Sequence, residues 1–203
     1  MMLVVGLTGG ICCGKSTIGS MFTDLGCSII DADVISRKLV EPDQPAWKRI
    51  VRIFGQDVMN KDRSLNRKKL GAIIFADAEK RKVLNSILHP LILREEERMV
   101  REGKNRHKIT IVSAALMIEA GAYKRFKKIL VVHCSKETQI MRIMKREKIT
   151  RKEALQRIAA QLSVQEKKKY ADYLINTSGP FPETRKQVVQ IYEKLKKLSE
   201  SQK

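Results

Sequence analysis

Positions 9–16 read Gly-Gly-Ile-Cys-Cys-Gly-Lys-Ser, and they follow directly on the apolar run at positions 3–7. Because a helical pattern begins after them, the motif stands where a buried strand passes into a helix. In this setting Gly9 and Gly14 let successive backbone N–H groups turn toward an anion, and Lys15 adds a positive charge. The electropositive N-terminal end of the helix faces the same anion. The sequence therefore predicts a phosphate-binding P-loop on an α/β scaffold.

The P-loop supplies the first candidate binding residues. Lys15 is expected to contact the phosphates of a nucleoside triphosphate, and the hydroxyl of Ser16 is expected to bind the Mg²⁺ that accompanies them. The nucleotide-binding residues predicted in this loop are Gly10, Ile11, Cys12, Cys13, Gly14, Lys15, Ser16 and Thr17.

The composition limits the kinds of partner. The 203 residues suffice for one α/β domain with insertions, and 41 Lys and Arg against 22 Asp and Glu give a net charge of +19. A field of this sign attracts polyanions, either nucleic acid or phosphorylated small molecules. Aromatic residues make up only 5%, the basic residues are spread along the chain, and no zinc-finger or RNA-recognition pattern occurs. Phosphorylated small molecules are therefore the favoured partners, and nucleic acid is the less favoured alternative.

The cysteines and the apolar segments indicate a compartment. The four cysteines, at positions 12, 13, 27 and 134, show no Cys-x-x-Cys spacing. The apolar start lacks a basic leader region and a cleavage site, and no apolar run approaches the roughly 20 residues of a membrane helix. We expect a cytoplasmic protein with reduced cysteines and no membrane as a partner. Either a monomer or a homo-oligomer is compatible with the sequence.

Strand-like and helix-like patterns alternate, which predicts a central parallel sheet flanked by helices. Strands are predicted at about 3–7, 27–30, 109–112, 129–133 and 171–176. Helices are predicted at about 17–25, 34–40, 45–54, 67–75, 79–102, 136–148, 150–160 and 182–198. Within the long helical stretch we expect a kink or a new helix start at Pro90, because proline lacks a backbone donor. The charged run at 166–169 is interpreted as a solvated face.

These patterns suggest a single domain with two specialised parts. The core is expected at 1–33, 104–135 and 161–203, with a helical substrate subdomain at about 34–103 and a helical lid at about 136–160.

Arg142 and Arg146 share one helical face in the lid, since they are four residues apart. Asp31 and Asp33 follow a buried strand, where ligands of open α/β sheets gather.

Five motifs stand in a fixed order along the chain. They are Gly6-Leu7-Thr8-Gly9-Gly10-Ile11 before Gly-Lys-Ser-Thr, then Ile30-Asp31-Ala32-Asp33, Phe54-Gly55, His89-Pro90, and a run from Gln139 through Arg142, Arg146, Arg157, Ile158 and Gln161 to Ala171-Asp172. Together they closely resemble the dephospho-CoA kinase family of P-loop kinases, over nearly the whole chain. The resemblance implies transfer of the γ-phosphate of ATP to the ribose 3′-hydroxyl of dephospho-CoA, the last step in making coenzyme A, with Mg²⁺.

The resemblance also implies residue roles. Asp33 matches the family's proposed base, which accepts the proton of the attacking hydroxyl. Asp31 is a further candidate ligand for Mg²⁺. The positive charges would stabilise the transferred phosphoryl group as the lid closes. The implied catalytic residues are Asp33, Lys15 and Arg142, the lid residues at ATP are Arg142 and Arg146, and the substrate-binding residues are Asp33, Arg67 and His89.

Some positions depart from the family pattern. Cys12 and Cys13 replace glycine and serine, and Ser113 stands where an aspartate is common, so Ser113 supplies no negative charge to a metal. Other departures are Asn66 before Arg67, and Asn176-Thr177.

Plainer interpretations stand beside these roles. Asp33 has the sequence position of a helix N-cap. The two lid arginines have the pattern of a solvated face, and His89 that of a buried turn histidine. Cysteines at a helix N-terminus can have a lowered thiol pKa, which raises the hypothesis of an oxidation switch at the phosphate site. Two other functions stay open at this point, another nucleoside or nucleotide kinase and a nucleotide-gated nucleic-acid-binding protein.

Overall fold

The computed structural model describes residues 2–103 and 106–201. Within these ranges the chain forms five strands and nine α-helices. The strands are β1 (Leu3–Gly9), β2 (Ser28–Asp31), β3 (Ile109–Ser113), β4 (Ile129–His133) and β5 (Tyr173–Asn176). The helices are α1 (Lys15–Asp24), α2 (Ala32–Leu39), α3 (Pro45–Phe54), α4 (Arg67–Ala76), α5 (Ala78–Gly103), α6 (Lys136–Glu147), α7 (Arg151–Ala159), α8 (Val164–Lys168) and α9 (Phe181–Glu200). Short 3₁₀ turns occur at Gln56–Val58 and Ala122–Arg125.

The strands form one parallel sheet in the order β2-β3-β1-β4-β5. All of β3 and nearly all of β1 and β4 are buried, as expected for a parallel sheet covered by helices on both faces. Leu7 of β1 is in register with Ser113 of β3, and Ser113 is in register with Asp31 of β2. The carboxyl ends of three strands therefore meet at one edge, and the predicted α/β fold is confirmed.

The described chain divides into two compact units, one comprising the residues up to Asp31 and from Glu102 onward, the other Ala32–Arg101. The first unit contains the sheet. Its largest apolar cluster joins the sheet to α1 and α9, and includes Leu7, Phe22, Ile111, Leu130 and Val188. Removing this apolar surface from water is the main force that holds the P-loop strand in the centre of the sheet.

The second unit is helical and has an apolar cluster of its own, which includes Trp47, Ile50, Val58, Leu84 and Ile87. The indole Nε1 of Trp47 donates to the carbonyl oxygen of Arg63 at 2.8 Å, so the one polar atom of this ring is satisfied.

Among the helices of the described residues, none is both long enough and apolar enough to span a membrane.

Two local expectations need correction. Of the two outcomes expected at Pro90, a new helix start is wrong and a kink stays a prediction: helix α5 runs through Pro90, because the buried residues Leu84 and Ile87 hold the helix in the apolar cluster of its unit while proline removes only one donor. The charged run at 166–169 is not simply a solvated face, since it contributes to α8 and the Lys167 side chain is buried.

The N-terminus of α7 carries the capping box that the sequence predicts. Thr150 Oγ1 accepts from the backbone N–H of Glu153 at 3.3 Å, and Glu153 Oε2 accepts from the N–H of Thr150 at 2.8 Å. We expect Thr150→Ala to lower the free energy of unfolding by about 1 kcal/mol, because it leaves an N–H of the first turn without its acceptor. Urea denaturation measures the change. Lys152→Ala, at an exposed position of the same helix, is the control, and an equal effect in both variants would contradict the expectation.

Candidate active site

The backbone of the loop between β1 and α1 is arranged to hold an anion. Cys12 and Gly14 have positive φ angles of 57° and 89°, and the N–H of Cys13 closes a turn by donating to the carbonyl oxygen of Gly10 at 3.1 Å. Helix α1 begins at Lys15, immediately after the second left-handed residue. Such an alternation of conformations turns successive N–H groups toward one centre, in line with the positive end of the helix.

Two glycines of the loop leave no room for a side chain. A Cβ at Gly10 would lie 2.6 Å from Gln139 Nε2, and a Cβ at Gly9 would collide with the carbonyl oxygen of Val132 in β4. Gln139 Nε2 in turn donates to the carbonyl oxygen of Ile11 at 2.9 Å. The start of the loop is therefore packed against β4 and α6, and this packing fixes where its N–H groups point.

Lys15 lies at the edge where the carboxyl ends of the strands meet. Its Nζ donates to Ser113 Oγ at 2.8 Å and lies 3.9 Å from a carboxylate oxygen of Asp31. The Lys15 side chain is 13% exposed, and that of Asp31 is 27% exposed. Ser113 brings no negative charge, but its hydroxyl orients the ammonium group, and Asp31 on the neighbouring strand supplies a carboxylate beside it.

Arg142 joins the P-loop to the segment after β5. Its Nη2 donates to the carbonyl oxygen of Thr177 at 2.8 Å, and its Nη1 to Thr177 Oγ1 at 3.1 Å and to the carbonyl oxygen of Cys12 at 3.4 Å. Thr177 Oγ1 itself donates to the carbonyl oxygen of Cys13 at 2.7 Å. These bonds hold a guanidinium group directly against the phosphate-binding loop, so Arg142 is more than a solvated residue of α6.

Arg146, one turn further along α6, has different partners. Its Nη2 donates to Glu147 Oε1 at 2.6 Å, and the other oxygen of the same carboxylate pairs with Arg157 of α7. Glu147 thus connects α6 to α7. More than half of the Arg146 side chain is exposed, so a ligand can compete with this surface ion pair at modest cost.

The hypothesis of an oxidation switch at Cys12 and Cys13 rests on a lowered thiol pKa, and that expectation is wrong for both residues. Burial raises the pKa of the Cys12 thiol. The pKa of Cys13 is also raised, first by its hydrogen bond with the Cys134 thiol, whose sulfur lies 3.4 Å away, and then by burial. Proximity to a helix N-terminus is outweighed here, because both thiols lie in poorly solvated surroundings.

A raised thiol pKa predicts slow alkylation. Only the thiolate reacts with iodoacetamide, so a raised pKa leaves less reactive Cys12 near neutral pH and moves the rise in rate to higher pH. We measure the alkylation rate of Cys12 against pH by mass spectrometry of its peptide. The pH at which this rate is half-maximal should be higher than for a free peptide with the same sequence. A half-maximal pH equal to or below that of the free peptide would contradict this expectation.

A cavity of about 700 Å³ lies beside this loop. Its lining comes from the ends of β4 and β5 and from α6, α7 and α8, and includes His133, Gln139, Ile158, Lys168 and Asn176. Burial, and secondarily the charge of Lys168, lowers the pKa of His133, so its surroundings favour the neutral imidazole. The volume is within the range of small-ligand sites, and Gln139 connects the cavity wall to the P-loop.

Three predicted site residues belong to the helical unit. Asp33 lies in the first turn of α2 and is half-buried; because the helix begins at Ala32, Asp33 is not the N-cap. Arg67 is the first residue of α4 and is exposed, and the Asn66 side chain caps that helix by accepting from the N–H of Lys69 at 3.0 Å. His89 is an exposed helical residue of α5 and not a buried turn histidine.

The structure adds residues that the sequence did not single out as site residues. Thr177 and Cys134 contact the P-loop residues although they are far away in the sequence, and no local pattern marks either of them. Lys167 also reaches this region, with its Nζ 3.5 Å from the carbonyl oxygen of Gly9. The one sequence signal for Gln139 was its place in the family motif that continues to Arg142.

A P-loop after the central strand of a parallel sheet, with an arginine bound against it, is the arrangement typical of P-loop kinases. The family model for dephospho-CoA kinase, CoaE, matches residues 3–183. The chain therefore belongs to the dephospho-CoA kinase family.

Individual relatives agree with this assignment. The dephospho-CoA kinase domain-containing protein of Danio rerio is 43% identical over 96% of this chain and 86% of its own length. The dephospho-CoA kinase of Bacillus licheniformis is 40% identical over 95% of this chain and 96% of its own. The solved structure of dephospho-CoA kinase from Campylobacter jejuni has a TM-score of 0.68 at 30% identity, and the match covers 97% of this chain and 98% of that one.

Proposed function

We propose that this chain transfers the γ-phosphoryl group of ATP to the ribose 3′-hydroxyl of dephospho-CoA and so produces coenzyme A. The observation that carries the proposal is the site of Lys15, whose ammonium group is held by Ser113 at the end of β3, beside the P-loop strand, in a chain of this family. The proposed ATP site consists of residues 10–17 together with Arg142 and Arg146.

Positive charge is what the transferred group requires. The phosphoryl group carries negative charge on its three outer oxygens as the bond to ADP breaks. Lys15 and Arg142 are both held by hydrogen bonds to protein groups, so little reorganisation is needed when the charge develops. Arg146 would add its charge by leaving Glu147, as α6 and α7 act as a lid over about residues 136–160.

Asp33 is the proposed base. It follows the last residue of β2, Asp31, by only two positions, so the chain itself keeps its Cα within roughly 7 Å of the Cα of Asp31. A carboxylate in that position can accept the proton of the 3′-hydroxyl as the oxygen attacks phosphorus. In the same helical unit Arg67 and His89 are exposed, and we propose that they bind the phosphate groups of dephospho-CoA.

Mg²⁺ would be held by few protein oxygens. The described residues contain no group of three or more His, Cys, Asp or Glu that could form a complete protein cage for a metal. The oxygens available on the first unit, the Ser16 hydroxyl and the Asp31 carboxylate, fit an ion that takes most of its ligands from water and substrate phosphates. When bound, Mg²⁺ would supply positive charge to the phosphate oxygens of ATP.

A cytoplasmic location is part of the proposal. The four cysteines form no disulfide in the described chain, which fits a reducing compartment.

Acceptor discrimination tests the proposed function. The purified protein is incubated with ATP and Mg²⁺, and with dephospho-CoA, adenosine or cytidine monophosphate as separate acceptors, and the products are identified by mass spectrometry. We expect a phosphorylated product from dephospho-CoA and none from the other two. Phosphorylation of adenosine or cytidine monophosphate without coenzyme A formation would instead assign the chain to another nucleoside or nucleotide kinase activity.

A further inference from the structure

Lys167 of α8 is a fully buried lysine, with 0% of its side chain exposed. Its Nζ donates to the carbonyl oxygen of Ala115 at 2.8 Å, pairs with Glu119 Oε1 at 2.8 Å and lies 3.5 Å from the carbonyl oxygen of Gly9. Lysine is almost never buried without a partner, because removing an ammonium ion from water is costly. Three acceptors around one ammonium group match its three donors, and they explain how this charge is tolerated.

The carbonyl groups that Lys167 reaches lie at the end of β1 and in the segment that follows β3, both beside the phosphate site. Gly9 is the last residue of β1 and the first of the P-loop motif. Ala115 follows the end of β3 by two residues, and β3 ends at Ser113, which accepts the hydrogen bond from Lys15. The Ala115 carbonyl oxygen also accepts from Thr8 Oγ1 at 3.2 Å. One ammonium group therefore ties the end of β1 to the end of β3.

The acid that pairs with Lys167 extends the link toward α7. Glu119 Oε1 accepts from the backbone N–H of Leu162 at 3.1 Å, in the segment that joins α7 to α8. Its side chain is 21% exposed, so its charge keeps some contact with water. The ion pair between Lys167 and Glu119 thus connects three segments: the P-loop start, the segment after β3 and the α7–α8 connection.

We propose that Lys167 is a positioning residue for the nucleotide site, which acts through the backbone of Gly9 and Ala115 and not by touching ATP. This proposal rests on the proposed function for its role in catalysis, but its first consequence is for nucleotide binding. Without the ammonium group, the Gly9 and Ala115 carbonyls lose a common donor, so the P-loop start keeps its packing against β4 and α6 but loses one of its links to the segment after β3. Small displacements of the hydrogen-bond donors in a phosphate site weaken phosphate binding strongly, because several donors must converge on the same anion.

The test is equilibrium binding of ATP with Mg²⁺, measured without acceptor at a temperature where each variant is fully folded. We expect Lys167→Met to weaken ATP binding about tenfold and to lower kcat/KM for coenzyme A formation at least as much. Lys167→Arg, which keeps a buried cation with donors, should restore most of the affinity. Lys169→Met, at an exposed lysine that pairs with Glu166, is the matched control and should bind ATP like the wild type.

A purely structural lysine would lower thermal stability and leave the ATP affinity of the folded protein unchanged, and that result for Lys167→Met overturns the proposal. If Lys167→Met does not fold, the Glu119→Gln variant tests the proposal instead. Glutamine keeps the shape of the Glu119 side chain and removes the negative charge that pairs with Lys167. We expect a smaller loss of ATP affinity in that variant, and wild-type affinity overturns the proposal. If the wild-type protein binds ATP but makes no coenzyme A, the proposed function fails, while the Lys167 proposal is still judged on binding alone.

Discussion

Lys15→Ala is expected to lower kcat for coenzyme A formation about 1,000-fold or more. The ammonium group is held by Ser113 and lies beside Asp31, with little exposure to water. In so poorly solvated a place its charge acts strongly on phosphate oxygens, and an alanine offers neither charge nor donor. The Michaelis constant for ATP is expected to rise as well, since the same charge binds the ground state.

Initial rates of ADP and coenzyme A formation at saturating dephospho-CoA measure this loss. Lys169→Ala provides the matched control, because it removes a lysine of similar size from an exposed surface pair. Thermal unfolding of both variants separates a chemical loss from a folding defect. A Lys15→Ala enzyme that keeps more than about a tenth of wild-type turnover would show that the P-loop lysine is not the main source of phosphoryl stabilisation.

Asp33→Asn is expected to lower turnover about 100-fold or more while ATP affinity stays near that of the wild type. Asparagine keeps the size of the side chain and its place in the first turn of α2, but its amide cannot accept the hydroxyl proton. The loss should therefore appear in kcat, and nucleotide binding should be spared because the P-loop is unchanged.

Asp57→Asn is the control for this second prediction, since Asp57 is an exposed carboxylate of the same helical unit. Single-turnover rates with saturating ATP isolate the chemical step from product release. Turnover of Asp33→Asn close to that of the wild type would exclude Asp33 as the base, whatever the fate of the Lys15 prediction.

The features that sequence predicts well here are local. The P-loop is a contiguous motif between a strand and a helix, and the capping box of α7 lies within four residues, so both follow from neighbouring side chains. The three inner strands, β1, β3 and β4, follow from apolar runs that are buried on both faces, and their number and spacing predict the parallel sheet. Pro90 shows the limit of local rules, because the buried residues of α5 outweigh one missing backbone donor.

The features that sequence does not predict depend on contacts between distant segments. Thr177 reaches the P-loop only because β5 ends beside it, and Cys134 approaches Cys13 for a similar reason. Lys167 stands among charged residues and therefore has the pattern of a solvated face, but Ala115 and Glu119 surround it. The raised pKa of Cys12 likewise arises from burial that tertiary packing creates, and it reverses the expectation from the helix N-terminus alone.

The most direct test of the central claim is to determine where the phosphate arrives. Phosphorus NMR of a reaction that contains the protein, ATP, Mg²⁺ and dephospho-CoA should show the loss of the γ-phosphate signal and the appearance of one phosphomonoester, at the ribose 3′-oxygen of coenzyme A. Release of inorganic phosphate alone, or a phosphomonoester at any other oxygen, would contradict the account of this chain as a kinase of the dephospho-CoA 3′-hydroxyl.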